Sequence, residues 1–384
     1  MNIPSYWSEH TIEFAYENKR SKNKTTKIKR YGWSNTSQAE AKEHAIERCQ
    51  QAKQTLLATG KVKRVEGKDS YLDKTDLPIR EQVLHHYADL NCVTTVNSYG
   101  ATCLNVENVM ILDIDNDDIT RFCWRHKFID KPFLILDKIK MRFVLFAIFL
   151  LAVIFLFSVK PFTSCVSDVV LYLKYIIWAF FSSFFIVWAL FILFDSIDDK
   201  RMAQWLKKQG GELAILEMII NKFLEENNDF AFNIYQTPLG FRLIALQDTF
   251  FANDDKTQLC FNQLPVDSCY AKLCQVQNCF RARVTAKPWR IEQDKYHHPQ
   301  QQQQQIEPRI PNRYFWLNND KTKERNEWLQ SYHQLAKNYS ACHFIKCIGQ
   351  SATHSINSPI NEQVAKVVQL YDDLCRSHRK LPLA

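Results

Sequence analysis

FVLFAIFLLAVIFLFSV at 143–159 and YIIWAFFSSFFIVWALFILF at 175–194 are two charge-free runs in the middle of a chain of 384 residues. A helix rising ~1.5 Å per residue needs about 20 apolar residues to cross a ~30 Å hydrocarbon layer. The second run meets that length. The first is close to the short limit of roughly 17, where Arg142 and Lys160 can snorkel. A helix buried in a water-facing domain normally keeps a polar stripe, and neither run has one. The runs predict a transmembrane helical hairpin at 141–196, inserted between flanks 1–140 and 197–384.

Charge orients that hairpin. Arg125, Lys127, Lys131, Lys138, Lys140 and Arg142 precede it, and Lys200, Arg201, Lys207 and Lys208 follow it, whereas only Lys160 and Lys174 lie between the runs. Lys and Arg near helix ends stay inside, so a multi-pass protein with both termini cytoplasmic is expected, with the lipid bilayer as its first partner. Of 12 cysteines only Cys165 falls in the outer loop, which leaves the others as free thiols in reducing surroundings. MNIPSYWSEH lacks the basic start and apolar core of a signal peptide.

Outward from the hairpin, both flanks alternate helix and strand signals. Residues 37–59 read as a helix, with Ser37 and Glu40 at capping-box spacing and Gly60 as the stop. A second helix is expected over 77–87, with Pro78 in its first turn. Strands are expected at 92–96, within VMILDID (109–115), and at 280–285. The stretches 230–236 and 241–247 flank Thr237-Pro238-Leu239-Gly240 and predict a β-hairpin. Residues 200–227 read as a helix broken at Gly210–Gly211, and 321–346 and 361–378 as terminal helices. The fold class expected is an α+β cytoplasmic domain built from both flanks, with the transmembrane hairpin inserted.

Composition bounds the function. Net charge is +8, part of it the flank of the hairpin, and only 8 glycines occur. Neither GxGxxG nor GxxxxGK[ST] is present, which removes the glycine-rich nucleotide loops. Residues 19–30, KRSKNKTTKIKR, carry seven basic residues, read either as a solvated loop or strand edge or as a contact for anionic lipid headgroups.

Three constellations carry chemistry. Asp113 and Asp115 alternate with Leu112 and Ile114, so on a strand the carboxylates share one face. Two carboxylates there make a natural Mg²⁺ or Mn²⁺ site; the competing reading is a strand running into the acidic turn 115–118. Arg242 follows the tight turn and can grip phosphate bidentately, or stand as a surface arginine. In CFRARVTAKPWR (279–290), Arg281 and Arg283 alternate with Phe280, Ala282 and Val284. Lys287, Trp289 and Arg290 add charge and a stacking ring, a pattern suited to nucleotides, nucleic acid or anionic headgroups. Cys260, Cys269, Cys274 and Cys279 are spaced loosely for zinc and read by default as buried thiols.

The blocks RYGWS (30–34), NSYGATCLN (97–105), LDID (112–115), YQTPLGFR (235–242), CFRARVTAKPWR (279–290) and LPLA (381–384) together resemble a family of functionally uncharacterised bacterial proteins with two transmembrane helices. That resemblance implies an inner-membrane location and brings no known activity. The order of LDID, a turn with a basic residue and then a basic strand is also similar to archaeo-eukaryotic primase-polymerases. That resemblance implies metal at Asp113 and Asp115 and a phosphate contact at Arg242, where the family usually has histidine. The expected function is therefore an integral inner-membrane protein whose cytoplasmic domain binds an anionic ligand, lipid headgroup or protein partner. The alternative is a metal-dependent nucleotidyl-transfer enzyme using Asp113 and Asp115 with Arg242.

Overall fold

The computed structural model describes residues 1–18, 21–66, 78–126, 202–293, 309–311, 322–349 and 361–384, with seven single positions between 177 and 200. Contacts divide the chain into two compact units, one of Met1–Asp118 with Ile219–Ala384 and one of Ile119–Met218. Everything that follows on the site concerns the first.

Three antiparallel sheets organise that unit. Strands β1 (Tyr6–Asn18) and β2 (Ser21–Ser34) form a long hairpin. Helix α1 (Gln38–Thr59) packs on it through Ala41, Ala45, Cys49, Ala52 and Leu56. The Ser37 hydroxyl accepts from the Glu40 N–H at 3.2 Å, and Gly60 ends the helix in the left-handed region at φ 68°. A Cβ on Gly32 would run into the backbone of Ala41 and Ala45, so helix and strand approach as closely as glycine permits.

The second sheet orders β3 (Gln82–Tyr87), β4 (Cys92–Val96), β5 (Thr102–Val106) and β9 (Phe280–Arg283). The third orders β10 (His343–Gly349), β7 (Ala231–Thr237), β8 (Gly240–Ala245) and β6 (Ile111–Asp115). Strand β6 follows β5 in the chain but joins the other sheet, so β6 and β9 are facing edges of two sheets. Tyr270 ties them: its hydroxyl donates to the Ile111 carbonyl at 2.5 Å and accepts the Arg281 N–H at 3.4 Å. Helices α2 (Asn116–Arg125), α3 (Glu212–Glu226), α4 (Asp255–Gln263), α5 (Ser268–Gln277), α6 (Pro288–Gln293), α7 (Thr322–Ala336) and α8 (Glu362–Cys375) complete the described elements. The core beneath the site holds Phe230, Phe232, Ile234, Tyr235, Leu243 and Tyr371, all nearly inaccessible.

The membrane hairpin is not supported. Among the described residues no helix is long and apolar enough to cross a membrane. The expected inserted hairpin, the multi-pass inner-membrane placement and the cytoplasmic termini that rested on it therefore lose their basis. Length and apolarity do not coincide here: α1 has 22 residues but carries Glu40, Lys42, Glu43, Glu47, Arg48 and Lys53. A charge-free run is a statement of composition, while a span also requires one continuous apolar helix. The run 143–159 and most of 175–194 lie outside the described residues; within the latter, Ile177, Phe181, Phe185, Trp188 and Ile192 are helical and exposed. The Gln-rich stretch at 300–305 also lies outside them.

Two further expectations are corrected. Residues 82–87 form strand β3 rather than a helix, because QVLHHY pairs along β4 from Gln82↔Val96 to Tyr87↔Cys92. The helix expected over 321–346 stops at Ala336, and His343–Gly349 turns into an edge strand against β7.

Candidate functional site

A cavity of about 440 Å³ opens at the seam between the β6 and β9 edges, within the ~300–1,000 Å³ usual for small-molecule sites. Asp113, Asp115, Arg242, Arg281, Arg283, Lys287 and Arg290, far apart in sequence, all line it. Trp289 stands beside the lining, its ring edge-on to Tyr99 at 4.8 Å and 5.4 Å from the Lys287 ammonium.

Pairing sorts these charges into two groups. Asp113 lies directly opposite Arg242 in the β6–β8 ladder. Arg242 donates from Nε at 3.0 Å and Nη2 at 2.8 Å to Asp113 Oδ1. Its Nη1 reaches the Arg283 carbonyl at 3.1 Å and the Tyr371 hydroxyl at 2.9 Å. The arginine is only 4% exposed. It is thus a buried anchor that fixes Asp113 and leaves Oδ2 turned to other partners. Arg281 is likewise held by Glu81, which also accepts from the Thr95 hydroxyl at 2.8 Å.

Asp115, Lys287 and Arg290 behave otherwise. Among the described residues their side chains make no hydrogen bond or ion pair. Burial, followed by repulsion from Asp113, Asp118 and Asp267, raises the Asp115 carboxyl above its ordinary value. Burial, followed by repulsion from Arg283 and Arg290, lowers the Lys287 ammonium. Burial and Arg283 lower Arg290 in the same way. Each shift disfavours the charged form, so neither cluster is neutralised by protein. Arg283 donates to the backbone oxygens of Thr285 at 2.9 Å and Ala384 at 3.2 Å, which holds it in the cationic group.

Close backbone approach sets the acidic wall. Gly240 pairs with Asp115, and a Cβ there would collide with the Ile114 carbonyl. Sequence reasoning missed Asp267. Its N–H donates to the Asp113 carbonyl at 3.1 Å, and its carboxylate caps α5 through the Cys269 N–H at 2.8 Å. An aspartate two residues after Pro265 at the start of a helical stretch was the available local signal; its approach to β6 is long-range. Tyr99, Tyr270 and Glu81 were missed as well, and no local pattern marks them.

Among the described residues no group of three or more His, Cys, Asp or Glu side chains is arranged to hold a metal ion. The donor set still suits one class of ion. Mg²⁺ and Mn²⁺ are commonly held by one or two carboxylates, water and substrate phosphates rather than by an all-protein cage. Asp113 Oδ2 and the Asp115 carboxylate offer that minimum. The cysteines do not: Cys260 and Cys279 are buried free thiols, each pushed up to about 12 chiefly by burial, and Cys269 is exposed. Compared with known proteins, the chain matches no protein-family model, no curated protein and no solved structure.

Proposed function

We propose that this cavity binds a phosphorylated, nucleotide-sized ligand together with a divalent cation, and that metal-dependent nucleotidyl transfer is its chemistry. One observation carries the reading: two self-repelling clusters of opposite sign share one cavity and do not pair with each other. A purely structural arrangement would join Asp115 to Lys287 or Arg290. A ligand that is positive at one end and negative at the other relieves both clusters at once, and a metal-bound polyphosphate is such a ligand. Asp113, fixed by Arg242, and Asp115 would hold the cation, whose role when bound is to neutralise charge on the phosphoryl group. Arg283, Lys287 and Arg290 would take the remaining phosphate charge. The motif order shared with primase-polymerases agrees for the aspartates and differs for Arg242, which acts here through Asp113.

Calorimetry of the full chain with ATP or GTP in Mg²⁺ or Mn²⁺ tests this. Metal-dependent binding is expected, weakened at least tenfold (about 1.4 kcal/mol) by Asp113→Ala or Asp115→Ala. Binding indifferent to chelator and to both substitutions would favour a plain anion site without transfer. The absence of binding to any nucleotide or to pyrophosphate would end both readings.

A further inference from the structure

Lys287 differs from the other cations around the cavity. Its stem follows Thr285 and Ala286, a segment pinned by the Tyr332 hydroxyl, which lies 2.7 Å from the Thr285 hydroxyl and donates to the Ala286 carbonyl at 2.6 Å. Pro288 fixes the backbone on its other side and opens α6. The amine is therefore carried on a rigid base, half-buried, with the face of Trp289 as its neighbour and no carboxylate bonded to it. Arg283 and Arg290 flank it, and Asp113 and Asp115 are the acids within electrostatic reach.

A lysine placed among cations in a partly dry cavity is a nucleophile, because its neutral amine is accessible near neutral pH. A lysine needed only for phosphate binding gains nothing from such surroundings; pairing with a carboxylate would keep it charged. Arginine, always charged, would serve binding better.

We propose that Lys287 is a catalytic nucleophile whose amine attacks the α-phosphorus of a bound nucleoside triphosphate to give a covalent nucleotidyl-lysine. The inference rests on the nucleotide reading above. In the step, Nζ forms a P–N bond and the bond from the α-phosphorus to the bridging oxygen breaks. Pyrophosphate leaves with the electron pair. The proton released from Nζ passes to the Asp115 carboxylate and then to water. Arg283 and Arg290 stabilise the charge that collects on the departing pyrophosphate. An acceptor hydroxyl later displaces lysine from phosphorus, restoring the amine.

Full-length protein incubated with each nucleoside triphosphate in Mg²⁺ or Mn²⁺ should acquire label from the α-phosphate and none from the γ-phosphate. The adduct should be acid-labile and alkali-stable, as a phosphoramidate is, and peptide mapping should locate it at Lys287. Lys287→Arg should abolish labelling while the far-ultraviolet spectrum and melting midpoint stay close to wild type. Metal-dependent nucleotide binding by wild type without any adduct would overturn the nucleophile and leave the proposed function standing. Labelling that persists in Lys287→Arg would also overturn it. Failure to bind any nucleotide would remove the underlying reading, and the nucleophile with it.

Discussion

Arg242 and Lys287 line the same cavity and sit in opposite electrostatic worlds. Arg242, on strand β8, meets Asp113 across the ladder, Tyr371 from α8 and a carbonyl of β9's Arg283. Lys287, in the turn leading to α6, meets Trp289 and two like charges. On the strands every charge has a partner fixed by pairing register. In the turn the charges are left for something the protein does not supply. The strand walls thus behave as scaffold and the turn, with Asp115 opposite, as receptor.

The largest effect should come from breaking the scaffold. Arg242→Met leaves Asp113, Tyr371 and the Arg283 carbonyl without their donor. Removing one partner of a buried pair typically costs about 3–5 kcal/mol; because Asp113 keeps 35% side-chain exposure, the lower end is expected. Urea denaturation reads it. A loss under 1 kcal/mol would mean that the two regions do not differ as described. Tyr371→Phe is milder, removing one acceptor of the guanidinium and the contact to Cys342 Sγ at 3.1 Å. About 1–2 kcal/mol is expected, with metal-dependent ligand binding weakened through Asp113.

The same contrast explains what was legible from sequence. The alternation in LDID and FRAR put Asp113, Asp115, Arg281 and Arg283 on single faces, because strand period is local information. That these faces converge across the β6–β9 seam depends on a chain reversal of more than 150 residues and on Tyr270, neither visible locally. The cross-strand pair Asp113↔Arg242 depends on register, so Arg242 read as a phosphate or surface residue until the ladder gave it a partner. Helix 77–87 failed because Pro78 was taken for a helix start, while the β-branched and aromatic character of the segment and its pairing with β4 decided otherwise. The membrane hairpin failed for a related reason: hydropathy without an observed continuous helix is not a span.

Replacing charges in the turn should reverse the sign seen at Arg242. In the folded chain the Lys287 ammonium is disfavoured by burial and by Arg283 and Arg290. Lys287→Met keeps the stem and its contact with Trp289 and removes the repulsion. The melting midpoint should rise, while binding of nucleotide or pyrophosphate with metal should fall roughly 10–100-fold, the weight of a charge-assisted hydrogen bond. A variant that melts lower would show that Lys287 is a structural residue.

The smallest effect, and the most direct on the receptor side, is the pH slope set by Asp115. Its folded-state pKa is raised by burial and by Asp113, Asp118 and Asp267, so the folded chain binds a proton more readily there than the unfolded chain does. Where the folded state holds more protons, stability falls as pH rises. In the window just above the ordinary aspartate value, this residue therefore contributes a downward slope, and the loss is complete once pH exceeds the raised value. Asp115→Asn should flatten that slope and melt slightly higher than wild type at neutral pH. Mg²⁺ or Mn²⁺ should stabilise wild type at neutral pH and lose that effect as Asp115 takes up its proton, whereas the variant should gain little at any pH. Thermal melts across pH with and without metal separate the two terms. A wild-type slope unchanged by the substitution would place Asp115 in ordinary solvent contact and remove the acidic half of the receptor, because an acid without repulsion has no need of a cation.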